Sequence, residues 1–194
     1  TNIDLYKNNT TSELYGALGY LTELNLQKNL VNSNHLLTPK MLLRYSPGSM
    51  RKETSGSRLE PINAFNINRL DNINNFETGL TSTIGFDYNV KKDDKNFNFS
   101  VAQIINEKEN KKMASKTSLD EKVSDLVGAA NYDINNKINL NYNFSIDQNY
   151  NQLNYNEIGT KIDLNPITLD FNYLLENEHI GDQEYFETKI DYSH

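Results

Sequence analysis

Residues 137–147, KINLNYNFSID, alternate apolar and polar side chains almost without fault. Ile138, Leu140, Tyr142, Phe144 and Ile146 fall on one side, and Asn139, Asn141, Asn143, Ser145 and Asp147 on the other. Successive side chains of a β-strand point to opposite faces, so a period of two marks a strand with one apolar and one polar surface. The same period returns along most of the chain. It predicts an all-β fold, an antiparallel up-and-down meander of about 9–11 strands. Which face lies inside decides what such a sheet does.

Over 76–90 one face reads Phe76, Thr78, Leu80, Ser82, Ile84, Phe86, Tyr88 and Val90, opposed by Glu77, Gly79, Thr81, Thr83, Gly85, Asp87 and Asn89. A charged turn at 91–95 leads to a strand with Phe97, Phe99, Val101 and Ile105 in phase, where Gln103 is the one polar intruder. Residues 107–122 are charged, lack a strand period and read as a loop. A strand over 124–134 ends at a tight turn, Asn135-Asn136, because Asn tolerates positive φ. Over 153–164, Ile158, Thr160, Ile162 and Leu164 are in phase while Leu153 and Tyr155 are not, which predicts a bulge near Asn156-Glu157. After a turn at Asn165-Pro166, a strand carries Ile167, Leu169, Phe171, Tyr173 and Leu175 opposite Thr168, Asp170 and Asn172. A polar loop over 176–182 precedes a last strand from about Glu184.

The first third is less regular. Residues 12–27 admit a helix but read better as strand. Residues 36–46 form a strand whose Pro39 cannot donate to a ladder, marking an edge, a bulge or a weakly paired spot. Residues 47–61 are too long for a hairpin turn, so they form either an external loop or a segment folded into a lumen.

Short turns thus alternate with longer polar connections, and the strands run to about 9–13 residues, enough to cross a bilayer at a tilt. Soluble strands are commonly nearer 5–6 residues. The expected fold is therefore part of a transmembrane outer-membrane β-barrel. A mean hydropathy of −0.71 does not oppose this, because 31 asparagines and the averaging of two unlike faces hide the apolar one. The chain opens and closes in mid-alternation, so residues 1–194 are expected to be one incomplete barrel domain truncated at both ends. On this reading Leu80, Ile84, Phe86, Leu140, Tyr142, Phe144, Leu169 and Phe171 face lipid. Thr81, Thr83, Asp87, Asn139, Asn141, Asn143, Asp170 and Asn172 face a hydrated lumen.

A net charge of −7 argues against nucleic acid, whose phosphates need a basic patch. With no cysteine there is no disulfide framework, thiolate metal site or Cys nucleophile. His35, His179 and His194 stand apart without metal-ligand spacing, and Asp93-Asp94 and Glu107/Glu109 sit among lysines as solvated turns. No catalytic residue, metal or cofactor is expected. Two other classes share the strand pattern: a passive outer-membrane pore or receptor barrel, and a soluble β-sandwich or adhesin with its apolar faces packed inward.

Leu37-Thr38-Pro39-Lys40 followed by Leu43-Arg44-Tyr45-Ser46-Pro47-Gly48 resembles the "Leu-x-Pro … Tyr-x-Pro" strand of the lipopolysaccharide-assembly outer-membrane family, LptD, also called organic solvent tolerance protein. Ala64-Phe65-Asn66-Ile67-Asn68-Arg69 with Asn75-Phe76-Glu77-Thr78-Gly79 is similar to that family's "Leu-Phe … Asn-Arg … Gly" segment. The chain departs from it at residues 70–74, where the family often has Gly-x-Asp-Arg, and lacks the cysteine pairs of some members.

The resemblance implies a C-terminal barrel fragment that inserts lipopolysaccharide into the outer leaflet of a Gram-negative outer membrane, with no bond made or broken. It implies as partners lipopolysaccharide, an outer-membrane lipoprotein plug in the lumen, and periplasmic lipopolysaccharide-bridge proteins reached through an N-terminal domain not recognisable here. All four arginines, Arg44, Arg51, Arg58 and Arg69, gather within 26 positions. Arg44 and Arg69 are candidates for a phosphate contact, against the alternative of pairing with carboxylates of the lumen.

Overall fold

The structure, a computed structural model, describes residues 15–70, 72–177 and 180–193. His179 and His194 lie outside the described residues. Among the described residues, ten strands form one antiparallel sheet: β1 (Leu18–Glu23), β2 (Leu26–Leu30), β3 (Ser33–Ser46), β4 (Gly79–Lys92), β5 (Lys95–Asn106), β6 (Leu126–Asn135), β7 (Ile138–Ile146), β8 (Leu153–Asp163), β9 (Ile167–Glu176) and β10 (Gln183–Tyr192). From β3 onward each strand pairs with the next in sequence, and β1 and β2 both pair with β3. This is the meander that the alternation predicts. The sheet is not closed: β1 and β10 stand at opposite ends of the strand order.

Pro39 explains why the first arm counts as two strands. Glu23 faces Lys40 and Leu26 faces Leu37, so the register does not change between β1 and β2. Only the ladder lapses, at Leu24 and Asn25, where Pro39 has no N–H to give. The Leu24 N–H still donates to the Pro39 carbonyl at 3.1 Å. The weakly paired spot sits where the sequence puts it.

One end of the sheet carries short turns, the other long connections. Residues 31–32, 93–94, 136–137 and 164–166 make the short ones; the connections after β3, β5, β7 and β9 belong to the other end. Two local expectations need correction. The turn after β6 is not held by positive φ at Asn135 or Asn136; the Asn135 side chain accepts from the N–H groups of Lys137 and Ile138 at 2.8 and 3.0 Å. The bulge in β8 lies at Asn154 and not at 156–157: Leu153 pairs with Ile146 and Tyr155 with Ser145, leaving Asn154 extra. Tyr155 consequently stays on the polar face.

Asp147 organises the β7–β8 connection. Its carboxylate accepts from the N–H groups of Gln152 and Asn151, both at 2.8 Å, and of Asn149 at 3.2 Å. The Gln152 bond above all, opposed by partial burial and aided by the other two, holds the carboxyl below the usual carboxylate range. A lowered value means that the turn is fully stabilised above the ordinary pKa and loses that support as pH falls through the lower folded-state value. The Gln152 amide resonance is therefore expected to titrate with a midpoint below that of an unstructured aspartate. A midpoint at or above the ordinary value would remove this account of the turn.

The hydrophobic core does not lie on the apolar strand faces. It forms on the polar side, where Met50, Leu59 and Ala64 from residues 47–78 meet Met113 and Leu119 from residues 107–125 over Ala102, Ile104 and Val127 of β5 and β6. Glu53 N–H donates to Lys112 O at 2.8 Å, joining the two connections. Of the two alternatives for residues 47–61, the inward fold is the one adopted. Residues 107–122 are irregular as expected, but the charged run hides buried Met113, Ala114, Thr117 and Leu119.

The opposite face is left uncovered. Leu18, Tyr20, Leu43, Tyr45, Ile84, Ile158, Phe186 and Ile190 are all exposed, Phe186 at 65%. A sandwich would pack these side chains inward, and here they point away from the core. Two irregularities on this face are accommodated locally. Gly128 faces Phe144 across the ladder, and a Cβ on Gly128 would collide with the Phe144 ring. Gln103, the polar intruder, is buried under Tyr150, whose hydroxyl donates to its Oε1 at 2.8 Å.

Candidate functional site: the covered polar face

Register places every polar candidate on one face. Thr81 and Thr83 pair with Asn106 and Ile104, Asp87 with Ser100, Asn139 with Asp133, Asn141 with Asn131 and Asn143 with Ala129. Asp170 and Asn172 follow beside Lys161 and Gly159. The apolar candidates Leu80, Ile84, Phe86, Leu140, Tyr142, Phe144, Leu169 and Phe171 occupy the other face of the same strands. The polar face divides along its length. Towards the long connections, Thr81 and Thr83 are buried under the inward-folded segments; towards the short turns, Asp87, Asn139, Asn141, Asn143, Asp170 and Asn172 remain partly open.

In the covered half sits a buried ionic hub. Arg44 on β3 is 0% exposed, Glu77 is 3% and Arg69 is 8%. Arg69 grips Glu77 with two nitrogens, Nε to Oε2 at 2.7 Å and Nη2 to Oε1. Arg44 Nη1 lies 3.7 Å from the same Oε1, Arg44 Nε donates to Ile67 O at 2.5 Å, and Arg44 Nη2 donates to Glu77 O. Two guanidinium groups thus share one carboxylate and two backbone carbonyls, with Arg44 Nη1 and Arg69 Nη1 left buried without a hydrogen-bond partner. Arg44 and Arg69 are thus paired with a carboxylate of the polar face, that of Glu77. Glu77 escaped the sequence reading because it keeps the strand period. Four clustered arginines were the signal that a buried acid had to lie near.

Arg58 makes a further charged contact, at the far side of the face, besides the Lys40–Asp87 ion pair at 2.7 Å. Its Nη2 donates to Glu176 Oε1 at 2.8 Å, and its guanidinium lies 3.6 Å over the Tyr155 ring. Tyr155 and Glu176 are cross-strand partners on β8 and β9, both buried. Next to them, Glu157 accepts from Tyr155 Oη at 2.6 Å, Asn172 Nδ2 at 3.0 Å and Asn143 Nδ2 at 3.1 Å. Further towards the short turns, amides donate to amides and to a carboxylate: Asn139 Nδ2 donates to Asp133 Oδ1 at 2.7 Å and to Asn131 Oδ1 at 3.2 Å, and Asn89 Nδ2 to Asn96 Oδ1 at 3.0 Å. Asn and Asp at adjacent rungs offer each other donors and acceptors while leaving spare capacity on each amide.

Two clefts open on this face. One, of about 480 Å³, lies between the short helix α1 (Pro61–Ala64) with its flanks and the sheet, and combines Phe65 and Tyr155 with Lys40, Asp87, Asn98, Ser100 and Asn143. The other, of about 530 Å³, lies among Lys91, Lys137, Lys161, Asp133 and Asp163 at the short-turn end. Such a surface can hydrate or bind a polar, multiply hydroxylated ligand. Among the described residues, no group of three or more acidic or histidine side chains is placed to hold a metal ion.

A search among curated proteins finds no match to this chain. The sequence profile of LptD, described as LPS transport system D, matches residues 8–193. That span covers every strand of the sheet, the inward-folded segments and both faces described above. The chain therefore belongs to the LptD family, outer-membrane proteins of Gram-negative bacteria that serve lipopolysaccharide transport and assembly.

Proposed function

We propose that this chain is a section of the barrel wall of the translocon that inserts lipopolysaccharide into the outer leaflet. The apolar face meets lipid, and the Asn- and Asp-rich face lines the hydrated path taken by the sugar part of the substrate. The observation that carries this reading is the inverted arrangement of the sheet. Its core lies on the polar side under residues 47–78 and 107–125, while the continuous apolar side stays bare. In water such a continuous apolar surface would be a liability; in a bilayer it is the stable arrangement.

The partners we propose are lipopolysaccharide as cargo, a lipoprotein plug sharing the lumen, and periplasmic bridge proteins that deliver the cargo. The work is transport, so no nucleophile or general acid is needed. Photo-crosslinking in the complete protein tests the reading. A photoactivatable residue at Asn143 or Asn172 is expected to capture the sugar part of lipopolysaccharide, and one at Ile84 or Phe171 to capture the acyl chains of membrane lipid. Capture of lipid acyl chains from the polar positions and none from the apolar ones would reverse the assignment. A passive pore would yield no lipopolysaccharide adduct at Asn143 or Asn172.

A further inference from the structure

We infer that the bilayer crosses this wall obliquely, with the strands inclined by about 30–40°, and that the short-turn rim of the apolar band holds anionic phospholipid headgroups on Lys28, Lys92 and Lys95. This rests on the reading of the apolar face as the lipid face. It adds where the membrane lies on that face and which lipid its rim takes.

Cross-strand partners give the apolar face a common scale. Leu37, Tyr142 and Phe186 lie on one rung, linked partner to partner from β3 to β10. The apolar run does not keep to such rungs. On β3 it reaches up from Leu37 to Tyr45, and on β10 it reaches down from Phe186 to Tyr192. Just above the shared rung, β8 and β10 turn polar with Asn156 and Glu184, and Glu184 accepts from Tyr173 Oη at 2.8 Å. Just below it, the first strands turn polar. Lys28 faces His35, which is bonded to Tyr88 Oη at 2.8 Å and Ser33 Oγ at 2.9 Å, and Lys92 faces Lys95 one rung lower. At that level β8–β10 are still apolar, with Ile162, Leu169 and Ile190.

The drift has the size that a tilted wall requires. From β3 to β10 the upper edge drops by the eight residues that separate Tyr45 from Leu37, and the lower edge by the six from Phe186 to Tyr192. At about 3.3 Å per residue and about 4.8 Å per strand step, this is an inclination of about 30–40°. Transmembrane barrels tilt their strands by roughly 35–45°. Along the membrane normal the run Leu80–Val90 of β4 is then about 27 Å tall, close to the roughly 25 Å of a barrel's apolar band. At the same tilt Lys28 and Lys92 fall at one level, about 8 Å below Leu37 and outside the band. Short turns mark the periplasmic side of a barrel. The three lysines are exposed there and in no ion pair among the described residues; Lys95 also borders the short-turn cleft. The opposite rim offers Asn156 and Glu184 in the same phase and no strand cation. A lysine stem can lie along apolar surface while its ammonium group reaches a headgroup phosphate.

The test uses the complete protein in vesicles of phosphatidylcholine and phosphatidylglycerol, with a bimane label on one introduced cysteine at a time. Depth is read from quenching by nitroxides placed at known levels along the lipid chain. Labels at Met41, Tyr142 and Phe171 are expected at one depth, near the midplane, although they lie on three different rungs. Labels at Leu37, Tyr142 and Phe186 are expected at three depths, periplasmic, central and outer, although they share a rung. One common depth for those three would overturn the oblique crossing and leave the lipid face intact. No quenching at any label would refute the lipid face itself, and this inference with it. For the rim, acyl-brominated phosphatidylglycerol is expected to outcompete brominated phosphatidylcholine at the Leu37 label about fivefold, the effect of one lysine at a membrane surface. Lys28→Ser, Lys92→Ser and Lys95→Ser together should abolish that preference, and arginine at the same three positions should keep it. No preference in the parent, an equal one at Phe186, or its loss in the arginine variant would overturn the headgroup site.

Discussion

Glu77→Ala is expected to destabilise the complete protein by about 3–5 kcal/mol, enough to impair assembly, because it strands two buried guanidinium groups at once. Arg44 and Arg69 have no water to turn to at 0% and 8% exposure. Glu77→Gln keeps the side chain's shape and one acceptor oxygen and should lose less. The informative comparison is the triple replacement Arg44→Met, Glu77→Leu and Arg69→Leu. Buried ionic clusters can often be exchanged for apolar side chains at little loss. This one should recover only in part, because Arg44 also caps the carbonyls of Ile67 and Glu77, which would be left buried without donors. Urea unfolding in lipid vesicles, followed by the gel mobility of the folded barrel, measures all three. A Glu77→Ala midpoint within about 0.5 kcal/mol of the parent, the range of an ordinary surface change, would show that the hub carries no weight.

The hub also shows where sequence reading stops. Strand period is a local property, so β4, β5, β7 and β9 were legible with their faces correctly sorted, and Pro39 disclosed the gap in the first arm from its missing N–H alone. Tertiary facts were not legible. Nothing in EKENKKMASKTSLDEK distinguishes a solvated loop from one whose Met113 and Leu119 complete a core, because the deciding partners, Met50 and Leu59, lie more than fifty residues away. The β8 bulge was misplaced for a related reason. Leu153 and Tyr155 are both apolar enough for either face, and only the cross-strand partners Ile146 and Ser145 fix which side each takes. Tyr155 then became available to Arg58, a pairing across 97 positions that no local pattern announces.

Leu140→Arg and Phe144→Arg should each weaken membrane assembly by about 2–4 kcal/mol, the range measured for a cationic side chain near the middle of a barrel's lipid face, while Asn141→Arg should be tolerated. All three lie on β7, within five residues of one another, so intrinsic strand propensity and distance from the turns are nearly matched. What differs is the face. Leu140 and Phe144 stand with Tyr142 on the bare side, and Phe144 also covers Gly128, so its loss uncovers backbone as well. Asn141 faces Asn131 and Gly159 in the open part of the polar side, where a guanidinium can reach water and neighbouring amides. The fraction of protein reaching the heat-modifiable, protease-resistant state in vesicles gives the comparison. Equal damage at Asn141 and Phe144 would mean that both faces are packed against protein. Damage confined to Asn141 would place the lipid on the other side and turn the wall inside out.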